Sequence, residues 1–231
     1  NKNKKILKNI GDRIHVKVIS PNFNLEYGLS AEDIEMRFKK LIRYSDPDKN
    51  KNTLFIWPEG VFSGYNYDEI LTFKNLIFNN FSNKHYILFG VNTLDSDRGG
   101  LYNSMLIVNN KFEIIQSYNK RKLVPFGEFL PFEGLLNSIG LKKITEGHGS
   151  FLKGQKDNNL VIEKLNILPL ICYEIIFPNL IQKSDIDTNL IINISEDGWF
   201  GKTVGPDQHY AKAVFRAIEN NTFVLRSTNR G

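Results

Sequence analysis

The sequence has only one cysteine, Cys172, so no disulfide can form within the chain. It has no apolar run of the ~20 residues that a membrane-spanning helix needs. It also lacks the basic start and apolar core that mark a signal peptide. We therefore expect a chain that is soluble or peripheral to a membrane. A lone cysteine is more often a small core residue than a nucleophile, and only its neighbours can change that interpretation.

Signatures of metal, phosphate and nucleic-acid binding are missing as well. The histidines are scattered along the chain without the paired spacing of metal ligands, at His15, His85, His148 and His209. There is no glycine-rich phosphate loop and no basic and aromatic pattern typical of nucleic-acid binding. We therefore predict no metal, no cofactor and no nucleic-acid partner.

The net charge of +5 is modest, and residues 1–10 form a basic leader with Lys2, Lys4, Lys5 and Lys8. Such a leader is usually a solvated end, and only sometimes a contact for acidic lipid head groups or nucleic acid. With 41% hydrophobic and 24% charged residues, the composition is that of a globular protein. We predict one domain over residues 1–231, since a chain of this length can form one large core.

The first part of the chain alternates between strand and helix patterns. Apolar and polar residues alternate over residues 13–19, which predicts a half-buried strand. Ser30 and Asp33 form a capping-box pattern before a helix that ends ahead of Pro47. Further segments extend this to a β-α-β-α-β order: a strand at 53–57, a helix at 68–80 and a strand at 86–91.

The second part contains a hairpin, a long loop region and two more buried strands. The hairpin pairs residues 101–108 with 111–118 through a two-residue turn at Asn109 and Asn110. Residues 125–154 are rich in Gly, Pro and Phe without a period, which predicts a long functional loop region. The remaining elements are strands at 165–172 and 190–195 and a helix at 208–219 that turns Ala211, Val214, Phe215 and Ile218 inward.

Three of the predicted strands end close to residues that carry chemistry, Glu59, Lys120 and Cys172. Ligands gather at the carboxyl ends of strands in sheets of this kind, so the three side chains can build one site. The carboxylate would remove the thiol proton, and the ammonium would favour the thiolate and stabilise an oxyanion. Composition alone leaves the alternative open, in which Glu59 and Lys120 are solvated surface charges.

The segments around these residues carry a family resemblance. They read WPEG at 57–60, YNKRKLVPFGEFLP at 118–131, ICYEIIFP at 171–178 and EDGWFGKTVGPDQH at 196–209. Together they resemble the carbon-nitrogen hydrolase (nitrilase) superfamily and, within it, the apolipoprotein N-acyltransferase family. The resemblance covers essentially the whole chain and implies an α/β fold, the nitrilase-like α-β-β-α sandwich.

The resemblance also implies roles for individual residues. Glu59 matches the general base, Lys120 the oxyanion-stabilising amine and Cys172 the nucleophile. Three supporting residues match as well. They are Glu128 as the carboxylate that orients Lys120 or assists proton transfer, Tyr173 as the backbone donor of an oxyanion hole, and Glu174 as a buried carboxylate of the nucleophile turn.

The family resemblance implies transfer of a fatty acyl group through a thioester on Cys172. The donor would be a membrane phospholipid, and the acceptor the α-amine of the N-terminal cysteine of a diacylglyceryl-modified apolipoprotein. Four aromatic residues are candidates to bind substrate or face the membrane, although packing on the domain is an equal alternative: Phe126, Phe129, Trp199 and Phe200.

The chain departs from the family pattern in several respects, one of which is Lys122 in place of the family's His. The family's N-terminal bundle of membrane helices is absent, and the chain stops at Gly231, where the family's domain continues into closing strands. Glu196-Asp197-Gly198 also replaces a usual Asn-Asp-Ala. We therefore expect a truncated sandwich without its last strands. It would lie at the periplasmic side of a bacterial inner membrane if membrane helices exist elsewhere. The alternatives are a soluble amidase and an inactive truncated remnant.

Overall fold

The computed structural model describes residues 14–26, 28–129, 150–156, 158–181 and 188–230. The basic leader of residues 1–10 lies outside these ranges. Residues 130–149, which are the larger part of the predicted loop region, lie outside them as well. The predictions for those stretches therefore stay predictions. Within the described ranges, no helix is both long enough and apolar enough to cross a bilayer.

Five strands form the first sheet in the order β1 to β5. Strands β1, β2 and β3 run parallel, and β3, β4 and β5 follow each other antiparallel. All four residues of β2 are buried, as expected for its apolar sequence TLFI. The strands are β1 at His15–Val18, β2 at Thr53–Ile56, β3 at His85–Asp95, β4 at Gly100–Val108 and β5 at Ile114–Asn119.

Three helices cross between these strands: α1 at Ala31–Ser45, α2 at Tyr67–Ile70 and α3 at Lys74–Asn80. The predicted capping box of α1 is confirmed, because the Ser30 hydroxyl accepts from the Asp33 N–H while the Asp33 carboxylate accepts from the Ser30 N–H. The predicted helix over 68–80 is instead two short helices, joined by a 3₁₀ turn at Leu71–Phe73.

The second sheet has four strands in the order β6, β7, β8 and β9. Its first pair is antiparallel, whereas β7, β8 and β9 run parallel. Helix α4, at Gly205–Glu219, connects β8 to β9. The strands are β6 at Leu160–Ile162, β7 at Leu165–Ile171, β8 at Leu190–Glu196 and β9 at Phe223–Asn229.

The two sheets pack face to face. Ile56 and Leu88 of the first sheet share one buried apolar cluster with Ile192 and Ile194 of the second. A second cluster, with Phe38 at its centre, joins α1 and α3 to the outer face of the first sheet. A third joins α4 to the outer face of the second sheet. The predicted α-β-β-α sandwich is therefore confirmed.

The hairpin turn differs from its prediction. Val108 pairs with Ile114, so the turn has five residues, 109–113, rather than two. The Asn109 side chain accepts hydrogen bonds from the N–H groups of Lys111 and Glu113. Phe112 takes a left-handed φ of 64° and buries its ring in the core, which a two-residue turn would not allow.

The predicted orientation of α4 is wrong. The buried residues of this helix are His209, Ala213 and Arg216. This face packs on β9 and on the 3₁₀ helix at Cys172–Ile176, where polar groups of both elements are already buried. The His209 side chain hydrogen-bonds the backbone oxygen of Cys172 there, and the apolar stripe of α4 faces outward. The residues predicted inward are all exposed: Ala211, Val214, Phe215 and Ile218.

Candidate active site

The three strand-end residues predicted from the sequence surround one cavity. Glu59 follows β2 and Lys120 follows β5, both in the first sheet, whereas Cys172 follows β7 in the second. All three line a cavity of about 610 Å³ at the carboxyl ends of the parallel strands. The two sheets therefore each contribute part of one candidate active site.

Lys120 is the cation of this site, and its side chain is only 1% exposed. Its Nζ donates to Glu128 Oε1 at 2.8 Å and lies 3.7 Å from Glu59 Oε1. Burial alone would lower the pKa of Lys120, but the charges of Glu128 and Glu59 outweigh it and raise the pKa above its ordinary value. Lys120 is therefore an ammonium ion at neutral pH.

Glu128 is held as a carboxylate by the same contact. Burial would raise its pKa, but the charge of Lys120 and the Lys120 hydrogen bond outweigh burial, so the pKa of Glu128 is lowered. Glu128 Oε2 also accepts from the Val124 N–H at 2.8 Å. Glu128 therefore fixes the lysine and, through Val124, the chain directly before the 125–154 region.

Glu59 is oriented by two groups for which the sequence predicted no such role. The Asn103 side-chain amide donates to Glu59 Oε1 at 2.8 Å and to Glu128 Oε1 at 2.9 Å. The backbone N–H of Glu196, in the second sheet, donates to Glu59 Oε2 at 3.1 Å. Asn103 lies inside β4 with no motif around it, so no sequence signal marks it.

Cys172 begins the turn after β7 in a left-handed conformation, with φ 51°. Burial and the charge of Glu59 raise the pKa of its thiol to about 12, although Lys120 and the Ser195 hydroxyl act in the opposite direction. The resting group is therefore a thiol, and it needs a base to become a nucleophile.

Glu174 holds the turn from the side of β5, as a fully buried carboxylate. It accepts from the backbone N–H groups of Ile171 at 2.9 Å, Arg121 at 2.7 Å and Lys122 at 3.0 Å. The Tyr118 hydroxyl donates to both of its oxygens. Burial raises the pKa of Glu174, whereas the backbone donors lower it. Glu174 therefore ties the nucleophile turn to the chain that follows Lys120.

The predicted aromatic candidates fall into two groups. Trp199 and Phe200 line the cavity, and the Trp199 ring is about half exposed. Phe126 and Phe129 lie on the neighbouring turn and are not part of the described lining. Tyr173 lines the cavity beside Cys172. Further apolar side chains complete the described wall, namely Leu25, Phe62, Val91, Val124 and Phe151.

A second polar group, behind Cys172, includes two residues of the EDGWFGKTVGPDQH segment, for which the sequence predicted no role. It contains Ser195 and Asp197 near the end of β8, His209 of α4 and Arg226 of β9. That segment carried part of the family resemblance, and a run of polar residues directly after the apolar strand LIINI marks the position of Ser195. Across the described ranges, no three His, Cys, Asp or Glu side chains cluster in a way that could hold a metal ion.

The family comparison agrees with this fold. The carbon-nitrogen hydrolase family model matches residues 24–231. The chain belongs to this family.

Its relatives are named apolipoprotein N-acyltransferases. One from Rhodopseudomonas palustris is 32% identical over 95% of this chain and 43% of the relative. One from Rhizobium leguminosarum bv. trifolii is 43% identical over 56% of this chain and 24% of the relative. The chain thus spans less than half the length of these relatives.

Solved structures share the fold at low sequence identity. Nit3 of Saccharomyces cerevisiae, a nitrilase-superfamily member, has a TM-score of 0.61 at 19% identity, over 93% of this chain and 75% of that one. XC1258 of Xanthomonas campestris, a CN-hydrolase superfamily protein, has a TM-score of 0.61 at 18% identity, over 92% of this chain and 74% of that one.

Proposed function

We propose that this chain is an acyltransferase domain that moves a fatty acyl group from a phospholipid to the N-terminal amine of an apolipoprotein. The observation that carries the proposal is the arrangement of Cys172, Glu59 and Lys120 around an apolar cavity, in a chain similar to proteins named apolipoprotein N-acyltransferases. The cavity, about 610 Å³, falls within the range of roughly 300–1,000 Å³ usual for ligand sites.

The first half-reaction forms a thioester. Glu59 takes the proton of the Cys172 thiol, and the sulfur attacks the ester carbonyl of the phospholipid. The carbon–oxygen bond of the ester then breaks, and the departing alkoxide takes the proton from Glu59 and leaves as a lysophospholipid. Lys120 and the backbone N–H of Tyr173 stabilise the negative oxygen of the tetrahedral intermediate.

The second half-reaction transfers the acyl group. The α-amine of a diacylglyceryl-modified cysteine attacks the thioester carbonyl, and Glu59 accepts the proton that the amine loses. The carbon–sulfur bond breaks, and the proton returns to the Cys172 thiolate. The high pKa of the free thiol, about 12, favours this return and resets the site.

The same proposal assigns the partners and the location. The donor would be a phospholipid, the acceptor an apolipoprotein and the location the periplasmic side of a bacterial inner membrane. Trp199 and Phe200 support contact with lipid, because they line the cavity and Trp199 is about half exposed at its wall. Trp at such a boundary suits a membrane surface, where one edge of the ring is apolar and the other wet.

Mass measurement of the Cys172 peptide tests the proposal. The purified chain is incubated with phospholipid vesicles, with and without a synthetic lipopeptide that carries a diacylglyceryl cysteine and a free α-amine. We expect an acyl adduct on Cys172 that the lipopeptide discharges, with N-acylated lipopeptide as the product. The Cys172→Ala variant is the control and should give neither species.

Two other results would contradict the proposal. Discharge of the adduct by water at the same rate with or without lipopeptide, together with cleavage of small amides, would indicate a soluble amidase. A folded chain that forms no adduct and cleaves no amide would indicate an inactive remnant.

A further inference from the structure

The backbone of Cys172 is in a conformation that a non-glycine residue rarely adopts, with φ 51°. Such residues persist at functional sites only where their surroundings hold them in place. The preceding residue, Ile171, is still extended, at φ −102° and ψ 119°. The chain therefore reverses sharply at the nucleophile, and the groups that bind its peptide atoms decide where the sulfur points.

The carbonyl oxygen of Cys172 is held from behind by two buried side chains. His209 Nε2 lies 3.1 Å from this oxygen, and the side-chain amide of Asn193 donates to it at 3.3 Å. His209 is 4% exposed, and Asn193 is fully buried. Neither residue is part of the described cavity lining, so both act on the nucleophile through its backbone and not through the substrate space.

The hydrogen on His209 can be assigned from its partners. A carbonyl oxygen can only accept, so Nε2 has to carry a hydrogen and donate it to Cys172. Nδ1 lies 3.0 Å from Asp197 Oδ1 and 3.1 Å from the guanidinium of Arg226. Whichever of these two groups Nδ1 bonds, the Nε2 hydrogen stays directed at the nucleophile.

Asp197 joins this contact to the sulfur of Cys172. Its Oδ1 accepts from the Ser195 hydroxyl at 2.6 Å, and its Oδ2 pairs with Arg226. The Ser195 hydroxyl is also a hydrogen-bond neighbour of the Cys172 thiol. One buried network therefore touches the nucleophile at its carbonyl through His209 and at its sulfur through Ser195.

We propose that His209, held by the Asp197 and Arg226 pair, is a positioning residue that fixes the left-handed turn at Cys172 and so aims the nucleophile. This inference rests on the proposed role of Cys172, but not on the identity of the acyl donor or acceptor. It assigns a function to the histidine of the GPDQH segment, which makes no contact with the cavity.

The test measures the reactivity of Cys172 directly. Iodoacetamide reacts fastest with thiols, and the mass of the peptide that contains Cys172, the single cysteine, reports on this residue. Two substitutions of similar length separate the hydrogen bond from the volume of the side chain: His209→Gln keeps an N–H donor, whereas His209→Met has none. Alkylation rates are measured by mass spectrometry between pH 6 and pH 10, well below the melting temperature of each variant.

A second buried histidine provides the matched control. His85 is 1% exposed, and its Nε2 lies 2.9 Å from the backbone oxygen of Asp48. It stands at the opposite end of the first sheet, at the start of β3. His85→Met therefore removes an equivalent contact to a backbone carbonyl without touching the nucleophile turn.

We expect His209→Met to alkylate about tenfold more slowly than the parent chain, the factor that one buried hydrogen bond supports. His209→Gln should stay within about threefold of the parent, and folded His85→Met should match it. A folded His209→Met with the parent rate would overturn the proposal, as would equal losses in the Met and Gln variants.

A second variant covers the case in which His209→Met does not fold. Asp197→Asn keeps the side-chain volume but removes the charge that orients His209, so it should also slow alkylation. A folded Asp197→Asn with the parent rate would overturn the proposal. Alkylation needs neither phospholipid nor lipopeptide, so failure of the proposed function and failure of this inference are distinguishable.

Discussion

At the scale of single residues, Lys120 is a buried cation between two carboxylates. Lys120→Met keeps most of the volume but leaves Glu128 and Glu59 without their counter-ion. We expect a loss of about 3–5 kcal/mol in the free energy of unfolding at pH 7, because a buried charge without its partner is costly. Denaturant unfolding measures this loss, and Lys39→Met, in an exposed pair with Glu35, should change stability by less than about 1 kcal/mol.

The pH dependence of this loss follows from Glu128. Its folded pKa is depressed, so its contribution to stability is complete above its ordinary value of 4.5 and is lost as the pH falls through the folded pKa. The difference between the parent and Lys120→Met should therefore be largest near neutral pH and should shrink below about pH 4. A difference that grows on acidification would contradict this assignment.

Glu196 gives a pH effect of the opposite sign. Burial, with the charges of Glu59 and Asp197, raises its pKa to about 7, although Asn229 and the Gly198 N–H oppose the shift. The folded chain therefore binds this proton more tightly than the unfolded chain, and stability falls as the pH rises from about 4.5 to 7. Glu196→Gln removes this titration, because its side chain is neutral throughout.

The measurement compares the unfolding free energies of the parent and Glu196→Gln at pH 5 and pH 8. The shift of Glu196 corresponds to roughly 3 kcal/mol at most, so Glu196→Gln should gain up to that amount over the parent between these two pH values. A constant difference between the two proteins over this range would show that Glu196 does not titrate as a buried acid.

The sequence pointed to the reacting groups better than to the groups that orient them. Glu59, Lys120 and Cys172 each follow a strand, and strand ends are visible as breaks in apolar runs. Asn103 and Glu196 bond Glu59 across separations of 44 and 137 residues. Such partners depend on strand register and on how two sheets pack, and local patterns encode neither.

At the scale of elements, helix α4 shows where hydrophobic periodicity misled the prediction. Periodicity identifies the apolar face of a helix, but it does not say which face the rest of the molecule covers. The inner face of α4 carries His209 and Arg216, with Ala213 as its small apolar contact. Ile218 on the outer face is 70% exposed.

This orientation predicts that a substitution on the inner face lowers the free energy of unfolding more than one on the outer face. Ile218→Ser should change the free energy of unfolding by about 0.5 kcal/mol or less, because it removes few buried contacts. Ala213→Leu should cost about 1–3 kcal/mol, because the larger side chain has no space against the second sheet. Thermal unfolding of both variants checks this, and a larger loss for Ile218→Ser would mean that the outer face is covered.

At the scale of the whole molecule, the layer order was predictable and the complete strand list was not. The strand and helix patterns gave an alternating β-α order, and the family resemblance implied the α-β-β-α sandwich. Strand β6 has only three residues, too few for a periodic signal. Strand β9 ends in three buried polar residues, Ser227, Thr228 and Asn229. They form hydrogen bonds with the chain that follows β1, at Ile19, Ser20 and Phe23. A polar strand end of this kind reads as a loop until its partners are known.

The closeness of the two sheets depends on Gly90 of β3. A Cβ at this position would lie 2.9 Å from the Glu59 Cα and 3.0 Å from the Ile194 Cδ1 of the second sheet. The first contact is with backbone, which cannot rotate away as a side chain can. Gly90→Ala therefore has to move the backbone of Glu59 or separate the sheets at the cavity.

We expect Gly90→Ala to lower the free energy of unfolding by about 1–3 kcal/mol, as overpacking does. It should also slow formation of the acyl adduct on Cys172 by up to about 100-fold, because displacing the proposed base by about 1 Å has an effect of that order. Leu94→Ala, at an exposed position of the same strand, is the control and should leave both quantities unchanged. If Gly90→Ala matched the parent in both measurements, the packing of Glu59 against the second sheet would not determine the position of the base.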